Sequence, residues 1–480
     1  MKRYRLHIWP VWLLLGMIFL AACQSDALPG DDSGGGQQVT VRSDSSYINL
    51  RIVNSNATMT RATEAATAAE NAVYDGILCI FEGSDESSAT LKTATVIDQL
   101  INNPGNSASV EITQRLATGT HAYGTKLYVL ALLNTTSTGF KVSGNDLLFD
   151  DSSQKNKSIS QIQNLVIHSV GSTDKHVGLF MSNAPQDGYI MPEVTNNYLF
   201  DTPSAAASGS KLTINVERAA ARVKVTNTAT TVSSINLDGN ADRHPTVHRI
   251  TWALHNYNTQ SYAIRKDYTA AQNWATSVTG AGIPIAFDTT APDIFDLYKQ
   301  HSYKDGDAVY IAENTTSTAN DQTQLYVEVQ LKEGSFLLGD CYRYSLWGTT
   351  IFFTSAEKFI QYCKEGWKTT FADLNGDLTS KSADEVFKYP SIVINSDGSV
   401  TLTLTNESFN DTEKTALAGL SNTLSGTLKG YRDGKMYFHY KINHDATHGV
   451  GVVRNNAYNL TFTNVPAIGD PVPTSIVVTP

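Results

Sequence analysis

The chain has 480 residues, of which 41% are hydrophobic and 17% charged, with a net charge of −10. That length suits two domains of ordinary size or three small ones. The acidic balance and the lack of any basic tract argue against a nucleic-acid partner, and 22 Tyr among many Thr, Val and Asn favour strands and turns over helices.

The first residues are not part of the fold. Lys2, Arg3 and Arg5 precede an apolar run, Ile8 to Leu20, that is too short to span a bilayer. It ends in Leu20-Ala21-Ala22-Cys23. Small residues before a Cys resemble the lipobox of bacterial lipoproteins, which implies removal of residues 1–22 and acylation of Cys23. More than one acyl chain on Cys23 would anchor the precursor stably to a membrane. Gln24 to Gly36 reads as a flexible acidic tether, and acidic residues soon after the Cys resemble the surface-export signal of Bacteroidia lipoproteins.

Tyr47 to Val53 is the first strand. Tyr47, Asn49, Arg51 and Val53 point one way, and Ile48, Leu50 and Ile52 form an apolar stripe on the other face. A small, polar segment containing Arg61 comes next, of the kind that proteases cut. Arg51 lies inside the strand, and cutting at Arg42 would not release it, so the Arg61–Ala62 bond is the expected cleavage site.

From Val73 onward the pattern is strand, turn, strand. The segments 73–81, 108–113, 126–133, 211–225, 249–257, 323–331, 391–405, 436–442 and 457–463 are rich in β-branched and aromatic residues. Asp397-Gly398 between two such runs predicts a hairpin. The best helix runs from Ser355 to Trp367, with Ser355 as its cap and Phe359, Ile360 and Cys363 on one face. Ser158 to Leu165 is a second, short candidate. The class is mainly β, most simply two sandwiches in series with few short helices. The boundary is expected near Thr226, giving 62–225 and 226–469.

Motifs for chemistry are weak. His444 and His448 have the spacing of a helical zinc site, but Asp445 stands where a Glu base belongs and Gly449 argues for a loop. Gly119 to Lys126 misses a phosphate loop by one position, and a strand comes after it. Asp373 to Asp384 alternates oxygens like a Ca²⁺ loop, but Leu378 replaces the turn glycine and no Glu closes it. Whether it binds Ca²⁺ stays open, as does a Cys341–Cys363 bridge beside a buried Cys79. No elbow, dyad or metal set selects an enzyme, and no cofactor is implied.

Five stretches carry a resemblance: the Cys23 lipobox; the Arg61 segment running into 73–83; Met181 to Pro185; Val216 to Val225; and Gly451 to Pro473. Together they resemble the FimA-like, type V fimbrilins of Bacteroidia, closest to the short-fimbria major subunit group. The resemblance implies two transthyretin-like β-sandwiches. It implies a lipoprotein precursor at the outer membrane, cut by an arginine-specific protease after Arg61. The leading strand with Ile48, Leu50 and Ile52 (within the 23–61 propeptide) then leaves, and the C-terminal strand of a neighbouring subunit fills the groove. The donor candidate is 470–480. Ile476 and Val478 lie on one of its faces and Val477 on the other, and its prolines block internal pairing. Partners would be further copies and accessory, tip or anchor subunits, with host or bacterial surface ligands left open.

A tip or accessory adhesin subunit of the same fimbria is the near alternative. A surface glycan-binding lipoprotein is the alternative of another class, with Trp252, Trp274 and Trp367 as candidate sugar platforms.

Overall fold

A computed structural model describes residues 46–54, 66–97, 109–116, 125–150, 153, 155–174, 177–186, 188–258, 260–266, 282–283, 302–315, 322–444 and 451–473. Cys23, Arg61, Ala62, Trp274, His448, Ile476, Val477 and Val478 lie outside them.

The first sheet has nine strands: β1 (Ser46–Asn54), β2 (Gly76–Gly83), β3 (Thr90–Val96), β4 (Ser109–Leu116), β5 (Lys126–Leu133), β6 (Met181–Asn183), β7 (Glu193–Val194), β8 (Leu199–Phe200) and β9 (Leu212–Arg218). Its neighbours run β4, β1, β9, β6, β5, β2, β3, with β7 paired to β5 and β8 to β1. The strands buried on both faces read as continuous apolar runs. In β5, Leu127 to Leu133 are all buried. One set of these side chains (Leu78, Ile80, Val129, Ala131) joins one core cluster, and the alternating set (Ile77, Cys79, Leu130, Leu132) joins another.

The second sandwich contains β10 (Ala220–Asn227), β11 (Thr246–His255), β12 (Ala308–Ala312), β13 (Gln324–Glu333), β19 (Lys435–Lys441) and β20 (Ala457–Phe462). Here β10 lies between β12 and β20, and β13 lies between β11 and β19. Val223, Val225, Trp252, Val327, Val329 and Met436 fill the space between the two sheets. The chain changes sheets at Ala219, between β9 and β10, so the whole of 220–227 belongs to the second sandwich. No turn separates the two strands, so composition alone cannot mark this crossing.

A fourth hydrophobic cluster was not anticipated. It lies within residues inserted between β13 and β19: β14 (Cys341–Leu346), β15 (Thr349–Phe353), α3 (Ala356–Glu365), α4 (Ala383–Val386), β16 (Tyr389–Ile394), β17 (Val400–Thr405), α5 (Asp411–Gly426) and β18 (Leu428–Tyr431). Helix α3 starts at the Ser355 cap, whose side chain accepts from the Lys358 N–H, and buries Phe359, Ile360 and Cys363. Two earlier helices, α1 (Ile159–Gln163) and α2 (Pro203–Ser208), are short; α1 opens on a capping box at Ser158. The 16-residue α5 escaped the sequence reading, because Gly419 and several Ser and Thr dilute its apolar stripe of Leu417, Leu420 and Leu424. Its legible signal was the capping box of Asn410 and Glu413. The Asp397-Gly398 hairpin joins β16 and β17, with Gly398 at φ +76°.

Cys79, Cys341 and Cys363 are all buried free thiols. Burial pushes Cys341 up to about 12, well away from the reactive thiolate range. Trp252 and Trp367 are core residues that donate to the Lys304 and Lys381 carbonyls, which corrects their candidacy as sugar platforms. The Asp373 loop folds as two 3₁₀ turns around a fully buried Leu378. Among the described residues no group of three His, Cys, Asp or Glu side chains is placed to hold a metal.

His255 on β11 and His439 on β19 flank Tyr326 of β13, with ring centroids 5.9 Å and 5.3 Å from it. Burial, with His439 nearby, lowers His255 to about 4, and burial also lowers His439. His255 therefore stays neutral in the fold through this range, and His439 takes up its proton less readily than an unfolded His, which does so near pH 6.5. The unfolded chain therefore binds more protons as pH falls below about 6.5, and stability drops through that window. Denaturation between pH 7 and 5 is expected to show a declining midpoint, with a shallower decline in His255→Gln; equal slopes in the two proteins would contradict this assignment.

Candidate functional site

Strand β1 is the first described segment, yet it occupies an interior position of its sheet. One edge pairs antiparallel with β4 from Ser46 to Val53. The other edge pairs antiparallel with β8 at Tyr47 and Ile48, then in parallel with β9 from Leu50 to Asn54. Ile48, Leu50 and Ile52 are 0%, 0% and 2% exposed. They pack in one cluster with Leu199, Leu212, Ile214 and Val216 of the adjoining strands and with Leu78, Ile80 and Val129. Each such side chain contributes roughly 1.5–3 kcal/mol on burial, an upper range because unfolded chains already bury some surface. Arg51, on the opposite face, is exposed.

Strand β1 forms no described ion pair. It is held by a ladder on each edge, one apolar stripe and the side-chain amide of Asn49. Withdrawing it would leave an apolar floor between the unpaired edges of β4 and β9. Such a groove accepts an extended strand of matching periodicity and performs no other evident chemistry.

Directly after the undescribed stretch that contains Arg61 and Ala62, the chain is pinned by charge. Glu70 is buried and pairs with Arg222 of β10 at 3.1 Å. Arg218, the last residue of β9, donates to the Glu70 carbonyl at 3.0 Å, to Asn71 Oδ1 at 2.6 Å and to Asn455 Oδ1 at 3.0 Å. Burial lowers the pKa of Arg218, with Glu70 acting the other way. Two more buried pairs flank this group. Arg265 meets Glu217 at 2.6 Å, and Arg454 meets Glu313 at 2.6 Å while also donating to Ser261 Oγ and the Tyr262 carbonyl. The Val216 to Val225 and Gly451 to Pro473 stretches thus meet at the crossing between the two sandwiches. Sequence reading singled out these stretches without giving their Glu and Arg residues a role.

At the C-terminal end, β20 runs parallel to β10 inside the second sandwich. The chain then stays in place as far as Pro473. Asp470 exchanges backbone hydrogen bonds with Tyr437, the Tyr431 hydroxyl donates to the Gly469 carbonyl, and Val472 is buried. Pro471 packs so closely on Gly398 that a Cβ there would lie 2.5 Å from it. Asp470 to Val472 are thus held by two backbone bonds and by the turn that joins β16 and β17.

A cavity of about 510 Å³ opens between Thr213 and Asn215 of β9 and Lys126 and Tyr128 of β5. Its polar groups already pair with one another: Lys126 with Glu193 at 2.8 Å, and Asn215 with Gln186 at 2.7 Å. Burial raises the pKa of Glu86, which accepts from the Ile190 and Met191 N–H groups. Among the described residues no helix is long and apolar enough to cross a membrane.

Residues 429–479 match the family described as major fimbrial subunit protein type IV, Fimbrillin, C-terminal. No curated protein matches the sequence. Among solved structures, the chain is similar to a fimbrilin (FimA) from Porphyromonas gingivalis W83. That likeness has a TM-score of 0.40 at 11% identity and covers 89% of this chain and 92% of that one. A fimbrial assembly protein from Parabacteroides distasonis is similar at a TM-score of 0.31 and 13% identity, over 61% of this chain and 82% of that one.

Removing one partner of a buried ion pair strands the other charge, at a typical cost of about 3–5 kcal/mol. Glu70→Ala is therefore expected to lower unfolding free energy by about that amount, whereas Lys126→Ala, which breaks an exposed pair, should cost less than about 1 kcal/mol. Urea denaturation measures both; equal effects would show that the crossing is not held by its charges.

Proposed function

We propose that the chain is a fimbrilin of the FimA-like family, as the match of residues 429–479 to the fimbrillin C-terminal family supports, and that it serves as a structural shaft subunit of a cell-surface fimbrium together with other fimbrial subunits. In this reading the precursor is lipidated at Cys23 and held at the outer membrane. An arginine-specific protease cuts after Arg61, so that Ala62 becomes the new N-terminus. Strand β1 then leaves, and the C-terminal strand of the next subunit, carrying Ile476, Val477 and Val478, takes its place.

The observation that carries this reading is the setting of β1. It is interior to the sheet and buries a full apolar stripe, yet it stands on the far side of the Arg61 segment from the Glu70 anchor. While the chain is intact, the short link keeps β1 at a high effective concentration beside its own slot. Cutting the link turns its rebinding into a bimolecular step, so a tail on a neighbouring subunit can compete. Glu70 and Asn71 stay pinned to Arg218 and Arg222, so cleavage frees the strand while the chain beyond Glu70 keeps its place. A head-to-tail interface of this kind does not close on itself and yields a filament. A shaft role needs both an acceptor slot and a strand to donate. A tip subunit needs only the slot.

The test uses precursor purified from Gln24 onward and treated with an arginine-specific protease. The expected outcome is a new terminus at Ala62 together with ladders or filaments by gel and electron microscopy. Filaments should disappear when residues 474–480 are deleted. A clean cut that leaves only monomer would assign the subunit to a tip position, and resistance at Arg61 with β1 retained would overturn the mechanism.

A further inference from the structure

Strand β1 contains one buried polar residue that the apolar stripe does not explain. Asn49 is 3% exposed although it lies on the face opposite Ile48 and Leu50. Its amide Nδ2 donates to the Ala206 carbonyl at 2.7 Å and lies 3.4 Å from the Ala207 carbonyl. Both carbonyls are at the C-terminal end of α2, where backbone acceptors have no partner inside the helix. The Gly209 N–H also reaches the Ala206 carbonyl, at 3.1 Å. Asn49 sits where the partner along that edge changes from β8 at Ile48 to β9 at Leu50. Helix α2 lies in the connection between those two strands. The slot therefore has an apolar floor under positions 48, 50 and 52, a polar wall at 49, and open solvent at 51.

We infer that this polar wall sets the register of the incoming strand, and that Ser475 of a second copy of this chain takes the place of Asn49. The inference rests on the strand-exchange reading above and adds to it a specific alignment. The tail reads Thr474-Ser475-Ile476-Val477-Val478-Thr479. With the direction of β1 kept, Ile476 at the Leu50 position and Val478 at the Ile52 position put Ser475 at Asn49 and Val477 at the exposed Arg51 position. Thr474 then brings its methyl group to the Ile48 position. The rival register, two residues along, places Ile476 at Ile48 and Val478 at Leu50. It presses Val477 against the α2 carbonyls, which lose the donor that Asn49 supplies and are shut off from water. Leaving a buried acceptor short of its partner is more costly than the net gain of an ordinary hydrogen bond. A shift by a single residue turns Ile476 and Val478 out of the core altogether. The pattern apolar, donor, apolar, open, apolar thus selects one alignment. A hydroxyl is the shortest side chain that supplies the donor.

The experiment uses the processed full chain with changes confined to the tail, which lies beyond the anchored Asp470 to Val472 segment. Ser475→Val raises strand propensity but removes the donor; it should speed subunit loss from filaments in denaturant by about tenfold, the factor for about 1.4 kcal/mol. Ser475→Asn should match the wild type or dissociate more slowly. Thr113 of β4 lies directly opposite position 49. Thr113→Cys combined with Ser475→Cys is therefore expected to cross-link neighbouring subunits, and Thr113→Cys combined with Val477→Cys is not. If wild-type chain forms no filament after cleavage, the strand-exchange reading itself fails. If filaments form but Ser475→Val dissociates at the wild-type rate, or Val477→Cys is the residue that cross-links, the register assignment is overturned while strand exchange stands. Loss of stability in Thr479→Val in place of Ser475→Val would overturn the assigned strand direction.

Discussion

The run from Leu212 to Asn227 passes from one sheet to the other without a turn, and the described fold hangs on that crossing. As β9 it offers an edge to β1, and as β10 it offers an edge to β20. Both pairings are parallel, which requires long connections between the paired strands. The first described strand and the last thus meet the same stretch of backbone from the two ends of the described chain. Any load passed along that stretch goes through Ala219.

A crossing built only from apolar contacts would leave the two sandwiches free to slide and swivel. Three buried Glu–Arg pairs surround this one, with amide side chains satisfying further donors. Buried ion pairs are poor sources of net stability, because desolvation offsets most of the attraction. Their value lies in direction. A guanidinium with several fixed acceptors tolerates little displacement. The segment after Arg61 is drawn into the same network through Glu70 and Asn71, so this part of the chain and the inter-sandwich geometry are fixed together.

Strand β1 is held by different physics. It has two backbone ladders, an apolar stripe and a single amide at a helix end, all of which another strand of suitable pattern can supply. Charged residues hold the part that stays, and interchangeable contacts hold the part proposed to leave. The inserted segment around α3 and α5 has its own apolar cluster and touches the C-terminal end through Pro471 on Gly398. The placement of Asp470 to Val472 is therefore set in part by a turn some seventy residues earlier in the sequence.

Much of this was legible in the residues. Period-two alternation identified the strands and the facing of Ile48, Leu50 and Ile52, since strand geometry forces successive side chains to opposite faces. The Ser355 cap, the short helix between Ser158 and Leu165 and the Asp397-Gly398 turn were local chemistry and could be read locally. Tertiary structure alone decided the features that depend on distant partners. The sheet change at Ala219 is invisible in an unbroken run of strand-forming residues. Trp252 and Trp367 became core residues because sheets and helices closed over them. Helix α5 formed on a diluted stripe because the cluster around it supplied the missing apolar surface. Asn49 looked like an ordinary outward residue, and only the arrival of α2, 157 residues later at Ala206, gave it a buried partner. Local residue order dictates which way a side chain points along its own strand; the groups it meets there are set by segments that folding brings in from elsewhere.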